Sequence, residues 1–206
     1  MRSYDDPCGL ARALDLVGER WALLVVRELL LGPKRFADLR RGLPGLSQNV
    51  LAQRLRELEE ATVVARRRLE PPASTWAYEL TERGRALEPA LIALSAWGSR
   101  TPVRSSAELS LDALMLALRT TAALPVAPAR VELRLDDDRF AVEVGDAVRI
   151  VRGSSPAPAD AVIAGSASAF RAVAFGGQPL TWLDVAGDRA VAERFVRMFP
   201  RPPVEQ

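Results

Sequence analysis

The sequence predicts an α+β fold in two domains, residues 1–104 and 105–206. Three observations predict it. Residues 35–83 run helix, turn, helix and basic β-hairpin in that order. Residues 98–110 are small and polar and read as a linker. Beyond them, apolar residues alternate with the period of strands before helical spacing returns, which is a sheet-and-helix layering.

In the N-terminal domain, Leu10, Ala13, Leu14 and Val17 mark an amphipathic first helix. Residues 21–31 are nearly continuously apolar around Arg27 and Glu28, the pattern of a buried helix, stopped by Gly32 and Pro33. The segment Arg35-Phe-Ala-Asp-Leu-Arg-Arg-Gly-Leu43 predicts the next helix, with Phe36, Leu39 and Leu43 inward, and Pro44-Gly45 predicts a turn. Ser47 then caps a helix through residue 60, because its hydroxyl can accept a free backbone N–H of the first turn. Leu51, Leu55 and Leu58 share one stripe, and Asn49, Gln53 and Arg56 lie opposite. Amides suit adenine N6 and N7, and arginine suits guanine O6 and N7. An ordinary amphipathic helix would carry the same stripe; the basic hairpin directly after it favours nucleic acid.

Residues 63–70 and 76–80 predict two strands joined by a Pro-rich turn, with Trp76, Tyr78 and Leu80 as the alternating apolar side. Arg66, Arg67 and Arg68 place positive charge along the first strand. Helix-turn-helix plus basic hairpin is a winged helix-turn-helix, suited to a duplex on which phosphate contacts position and base contacts specify. Ser47, Gln48, Asn49, Gln53 and Arg56 are the base-side candidates. Arg35, Arg40, Arg41 and Arg54 are candidates for phosphates, and Arg66, Arg67 and Arg68 for the adjacent groove or backbone. Thr81 predicts the cap of a final helix carrying Leu87, Leu91, Leu94 and Trp97, whose excess apolar surface predicts a dimer seam with the first helix.

Charge is unevenly shared. Residues 1–104 hold 17 Lys and Arg against 13 Asp and Glu, a net of +4; the remainder hold 11 against 13, a net of −2. Placement within the reading unit, not the small total, is the footprint of a duplex partner. Without histidine, Ser-His and Cys-His pairs and His-based metal sites are excluded. There is no Gly-rich phosphate loop or base–nucleophile pair, so neither an enzyme nor a cofactor is expected. No apolar run approaches the ~18 residues of a membrane span, and the N-terminus lacks an apolar signal core. With a single cysteine, a cytoplasmic protein is expected.

Several segments in order, Cys8-Gly-Leu-Ala-Arg-Ala-Leu-Asp-Leu-Val-Gly-Glu-Arg-Trp21, Arg27-Glu-Leu-Leu-Leu-Gly-Pro33, Arg35-Phe-Ala-Asp-Leu39, Leu51-Ala-Gln-Arg-Leu-Arg-Glu-Leu-Glu-Glu60 and Tyr78-Glu-Leu-Thr-Glu-Arg-Gly84, resemble the HxlR family of bacterial transcription regulators. The resemblance covers about the first hundred residues and implies a homodimer on a pseudo-palindromic operator. One departure is Gly9, where the family usually has proline after the cysteine. The resemblance also implies that Cys8, ahead of the first helix, can sense oxidants or electrophiles. A thiol at a helix N-terminus is favoured as thiolate; a small packed side chain is the competing reading.

The C-terminal domain predicts a largely apolar helix at 111–118, strands at 131–135, 140–144, 148–152 and 161–165, and a helix opened by Ser166 and ended by Gly176-Gly177. A short strand at 183–187 and an Asp188-capped helix to residue 199 complete it. Three successive aspartates, 136–138, could suggest a metal, but hairpin turns are commonly acidic, and the turn reading is preferred. Residues 160–170 and 185–195 resemble the sterol-carrier-protein fold, which implies an apolar tunnel for a lipid-like ligand. Leu118, Phe140, Phe170, Trp182 and Phe195 are the candidate lining, though each also suits a core. A regulator biased by a hydrophobic small molecule is therefore the leading expectation. A Cys8 thiol switch and a lipid carrier with an auxiliary DNA-binding domain are the alternatives.

Overall fold

The computed structural model describes residues 3–70, 75–103, 105 and 107–200. It divides into two compact units, Met1–Leu91 and Ile92–Gln206.

In the first unit, Gly9–Val17 (α1), Ala22–Leu29 (α2), Phe36–Gly42 (α3) and Gln48–Glu60 (α4) precede the hairpin Val64–Arg68 (β1) and Trp76–Leu80 (β2). The helices close on one core in which Val25, Val26, Leu39, Leu51, Leu55 and Leu58 are almost wholly buried. Side-chain caps set two starts: the Ser47 hydroxyl accepts from the Val50 N–H, and the Thr81 hydroxyl from the Gly84 N–H. The turn between α3 and α4 passes through Gly45 at φ +87°, a conformation that favours glycine.

A buried carboxylate ties these elements together. Glu28 is fully buried on α2, with its oxygens 2.8 Å from both the Arg27 guanidinium and the Lys34 ammonium. Such a charge is tolerable only when paired. Lys34 also extends the wing: its N–H donates to the Tyr78 carbonyl at 2.9 Å, and the Tyr78 N–H returns to the Lys34 carbonyl at 2.8 Å. A third short stretch thus joins β1 and β2.

Three sequence expectations change here. The Thr81-capped helix is only Glu82–Arg85 (α5); after a turn, the chain starts again as Glu88–Gly98 (α6). In β2 the expected apolar side holds for Leu80, which is buried in the core, and for Tyr78, which packs against it, but Trp76 is 53% exposed, and small Ala77 on the other side is buried as well. On α1, Ala11 and Val17 face inward, whereas Leu10 is 68% exposed. The Pro71 to Ser74 part of the predicted turn lies outside the described residues.

The second unit contains Leu111–Thr121 (α7), Ala129–Leu135 (β3), Asp138–Val144 (β4), Arg149–Arg152 (β5), Ala161–Gly165 (β6), Ala167–Gly176 (α8), Asp184–Gly187 (β7) and Arg189–Arg197 (α9). Its five strands order β5-β4-β3-β6-β7, antiparallel except for the β3–β6 pair. The alternation read in the sequence becomes register: Leu133 lies opposite Phe140 on one side and Ile163 on the other, all fully buried. Helix α9 lies against β3, β6, β7 and α8, where Phe195 meets Phe199 edge to face at 5.1 Å. Ser110, Ser166 and Asp188 cap α7, α8 and α9.

The acidic turn takes structural roles. Asp136, at φ +52°, accepts from the Ala167 N–H at the start of α8. Asp138 joins Asp112 of α7 on the Arg152 guanidinium, and Asp112 is gripped at 2.8 and 2.9 Å by one nitrogen. Burial alone would lower the Arg152 pKa, but the two carboxylates outweigh it and hold it above the ordinary arginine value.

Candidate nucleic-acid interface

Helix α4 buries Leu51, Leu55 and Leu58 and leaves Gln48, Asn49, Gln53 and Arg56 exposed on other faces, as does its cap Ser47. Helical geometry places residues 49, 53 and 56 within one narrow sector. Two of them are already organised. The Arg56 guanidinium donates to the Gln53 carbonyl oxygen at 2.6 Å, and the Gln53 amide nitrogen donates to Glu57 at 2.7 Å. Base reading by this pair would exchange those bonds for bonds to base edges. Val50 was missed in the sequence reading. It is 38% exposed beside Asn49, an apolar group of the kind that suits a thymine methyl. Its signal was its position off the leucine stripe.

The candidate phosphate contacts separate. Arg35 and Arg41 share Asp38, at 2.9 and 3.6 Å. Burial raises the Asp38 pKa, but the Arg35 hydrogen bond and both cations prevail and hold it below the usual carboxylate range. Arg40 is exposed and makes no ion pair with the described residues. Arg54 departs from expectation. Its side chain is only 13% exposed and turns inward between Glu57 of α4 and Glu19, so it braces α4 rather than presenting a charge. Position 54 is flanked by the buried stripe at Leu51, Leu55 and Leu58, and periodicity could have placed it there.

The wing arginines also divide. Alternation puts Arg66 and Arg68 on the face of Trp76 and Tyr78, and Arg67 on the other. Arg67 pairs with Glu79 at 3.1 Å. Arg66 lies over the Trp76 ring at 5.0 Å and the Tyr78 ring at 5.8 Å. Exposed amides on α4, an exposed Arg40 and an aromatic-backed basic hairpin each carry chemistry suited to a duplex.

Residues 16–105 match the HxlR-like helix-turn-helix family. The HTH-type transcriptional regulator YvaP of Bacillus subtilis (strain 168) is 40% identical over 88 residues, which span 43% of this chain and 82% of YvaP. The chain belongs to the HxlR family. It is accordingly a DNA-binding transcriptional regulator of that kind. The HTH-type regulator YodB of the same organism is 39% identical over 88 residues, 43% of this chain and 79% of YodB. A crystal structure of quinone-bound YodB from B. subtilis aligns with a TM-score of 0.39 at 36% identity, covering 44% of this chain and 96% of that one.

Ahead of the matched residues, Cys8 is exposed at the N-cap of α1. Hydrogen bonds from the Leu10 and Ala11 backbone N–H groups lower its pKa from the ordinary thiol value. Along α1 runs a groove of about 600 Å3 lined by Ala13, Leu16, Val17, Val63 and Leu87, with Arg12 and Arg83 also on its wall.

The five residues expected to line a ligand tunnel differ in burial. Leu118, Phe140, Phe170 and Phe195 are packed core, at most 2% exposed, and Trp182 is 55% exposed in a short 3-10 turn. Their apolar character fitted either role, and the packing makes them core. A groove of about 530 Å3 lies instead between α8, the segment after it and α9. Phe175, Leu180, Val196 and Phe199 supply its apolar wall, and Arg189 and Arg197 also line it. Among the described residues no cluster of three or more Cys, Asp or Glu could hold a metal. No described helix is long and apolar enough to cross a membrane.

Proposed function

We propose that this regulator acts without catalysis, as a homodimer whose two α4 helices enter successive major grooves of a pseudo-palindromic operator. The observation that carries the reading is the outward set Gln48, Asn49, Gln53 and Arg56 above a fully buried leucine stripe. Pairing through α1 and α6 is supported by exposed Leu10 and Leu14 on the first and exposed Leu94 and Trp97 on the second. Surface of this kind favours a partner. In the C-terminal domain, 105–206, the sterol-carrier-protein-like reading gains support from the layered sheet and helices. The groove between α8 and α9 is the better place for an apolar small-molecule effector than the five core residues. Such an effector regulates only if it binds the DNA-competent and DNA-incompetent states with different affinity.

The test uses the full chain. Selection of a preferred duplex from a random pool, followed by titration at several salt concentrations, is expected to yield an inverted repeat and an affinity falling steeply with salt. A screen of fatty acids and other apolar molecules by thermal shift is then expected to give a stabiliser that also changes operator affinity. Stabilisation with unchanged operator affinity would remove the effector role. Absence of any sequence preference would remove the operator reading.

A second reading is favoured by the thiol at the α1 N-cap: modification of Cys8 as the switch. With one cysteine in the chain, this means alkylation, a mixed disulfide with a small thiol or a bridge between subunits. If Cys8→Ser responds to quinone or peroxide as the parent does, the thiol is not the switch.

A further inference from the structure

We propose that Trp76 is a positioning residue for DNA binding, an exposed platform that holds the Arg66 guanidinium ready for the phosphate backbone. The proposal rests on the wing meeting DNA. Trp76 is 53% exposed at the start of its strand, which buries Ala77 and Leu80 instead. What Trp76 does touch is Arg66, at 5.0 Å from its ring centroid, with Tyr78 at 5.8 Å extending the same surface. Arg68, directly opposite Trp76 in the hairpin register, shares that face.

The platform is stiff where it matters. Tyr78 is bonded to Lys34 through both backbone groups, and the Lys34 ammonium is anchored on buried Glu28. Arg66 therefore rests on a surface tied to the domain core, and its flexible chain loses freedom before DNA arrives. Arginine stacked on an aromatic face keeps its in-plane N–H donors free for phosphate oxygens. Arg67, on the opposite face, has its charge taken by Glu79 instead. The three consecutive arginines are thus inequivalent, and the aromatic pair selects which of them is presented.

The experiment measures binding of the full chain to a labelled mixed-sequence duplex across a potassium chloride series, with a thermal melt of each variant. Arg66→Ala is expected to weaken binding and flatten the dependence of log affinity on log salt by about one. Trp76→Ala is expected to weaken binding about two- to five-fold with little change in melting. Trp76→Phe, which keeps a ring, recovers most of the loss. In the Arg66→Ala background, Trp76→Ala has little further effect. Equal losses from Trp76→Ala with and without Arg66 overturn the proposal, as does a Phe variant no better than Ala. If Arg66→Ala binds less well but Trp76→Ala binds like the parent, the platform alone is wrong. If Arg40→Ala, Arg66→Ala and Arg68→Ala all bind like the parent, the DNA surface itself is wrong.

Discussion

Arg40 and Arg54 share a side chain but not a role, and the difference is one of surroundings. Arg40 stands exposed at the end of α3, whereas Arg54 is enclosed by Glu57 and Glu19. Replacing Arg40 by Ala should lower affinity for all duplexes alike and reduce the salt dependence by about one. Replacing Arg54 by Ala should instead lower the melting temperature and leave the salt dependence unchanged. Asn49, exposed and without a side-chain partner among the described residues, belongs to the base-reading set. Asn49→Ala is expected to cost about 1–3 kcal/mol at one base pair of a selected site while random-sequence binding is retained. Equal losses on both would remove it from that set. For Cys8 the sign follows from its backbone donors: they stabilise thiolate, so the thiolate fraction at any pH below the ordinary thiol range exceeds that of a free cysteine. Iodoacetamide labelling should rise at lower pH in the folded protein than after denaturation, the intrinsic nucleophilicity of each thiolate being taken into account.

At the scale of elements, small local devices set how α4 and the wing are held. The Ser47 cap fixes where α4 begins, and Ser47→Ala should cost about 0.5–2 kcal/mol in chemical denaturation. Gly84 is tighter. A Cβ there would lie 2.1 Å from the Val63 carbonyl oxygen, which is backbone and cannot swing aside. Gly84→Ala should therefore destabilise by roughly 1–3 kcal/mol, read the same way. Four helix starts were legible from their caps, because Ser47, Thr81, Ser166 and Asp188 are side chains that satisfy free N–H groups. The end of the Thr81 helix was not legible. Its apolar spacing continues through the turn at Ala86 and Leu87, and periodicity alone does not register a change of axis. In β2 alternation placed Tyr78 and Leu80 correctly against the core but not Trp76, because it reports which residues share a side and not how far along the strand the core extends.

For the whole molecule, an excess of positive charge in the N-terminal half and a slight negative excess in the C-terminal half accompany two separate cores. The C-terminal core depends on a charge cluster joining α7, β4 and β5. Removing Asp112 takes away the buried carboxylate and leaves Arg152 with Asp138 alone, so Asp112→Ala should destabilise the protein by roughly 1–3 kcal/mol in denaturant titrations. A variant as stable as the parent would show that Asp138 and water suffice for Arg152. By itself, the sequence determined the order of helices and strands apart from the break between α5 and α6, the caps at Ser47, Thr81, Ser166 and Asp188, the α4 leucine stripe and the family. These are local in origin: periodicity and capping act over a few residues, and family motifs are contiguous. Only the tertiary structure decided that Arg54 turns inward, that Lys34 adds a third stretch to the wing, that Arg66 rather than Arg67 stacks on Trp76, and that the tunnel candidates other than Trp182 are buried. Each of these depends on which distant residue supplies a charge, a ring or a packing neighbour, and linear spacing carries no record of that.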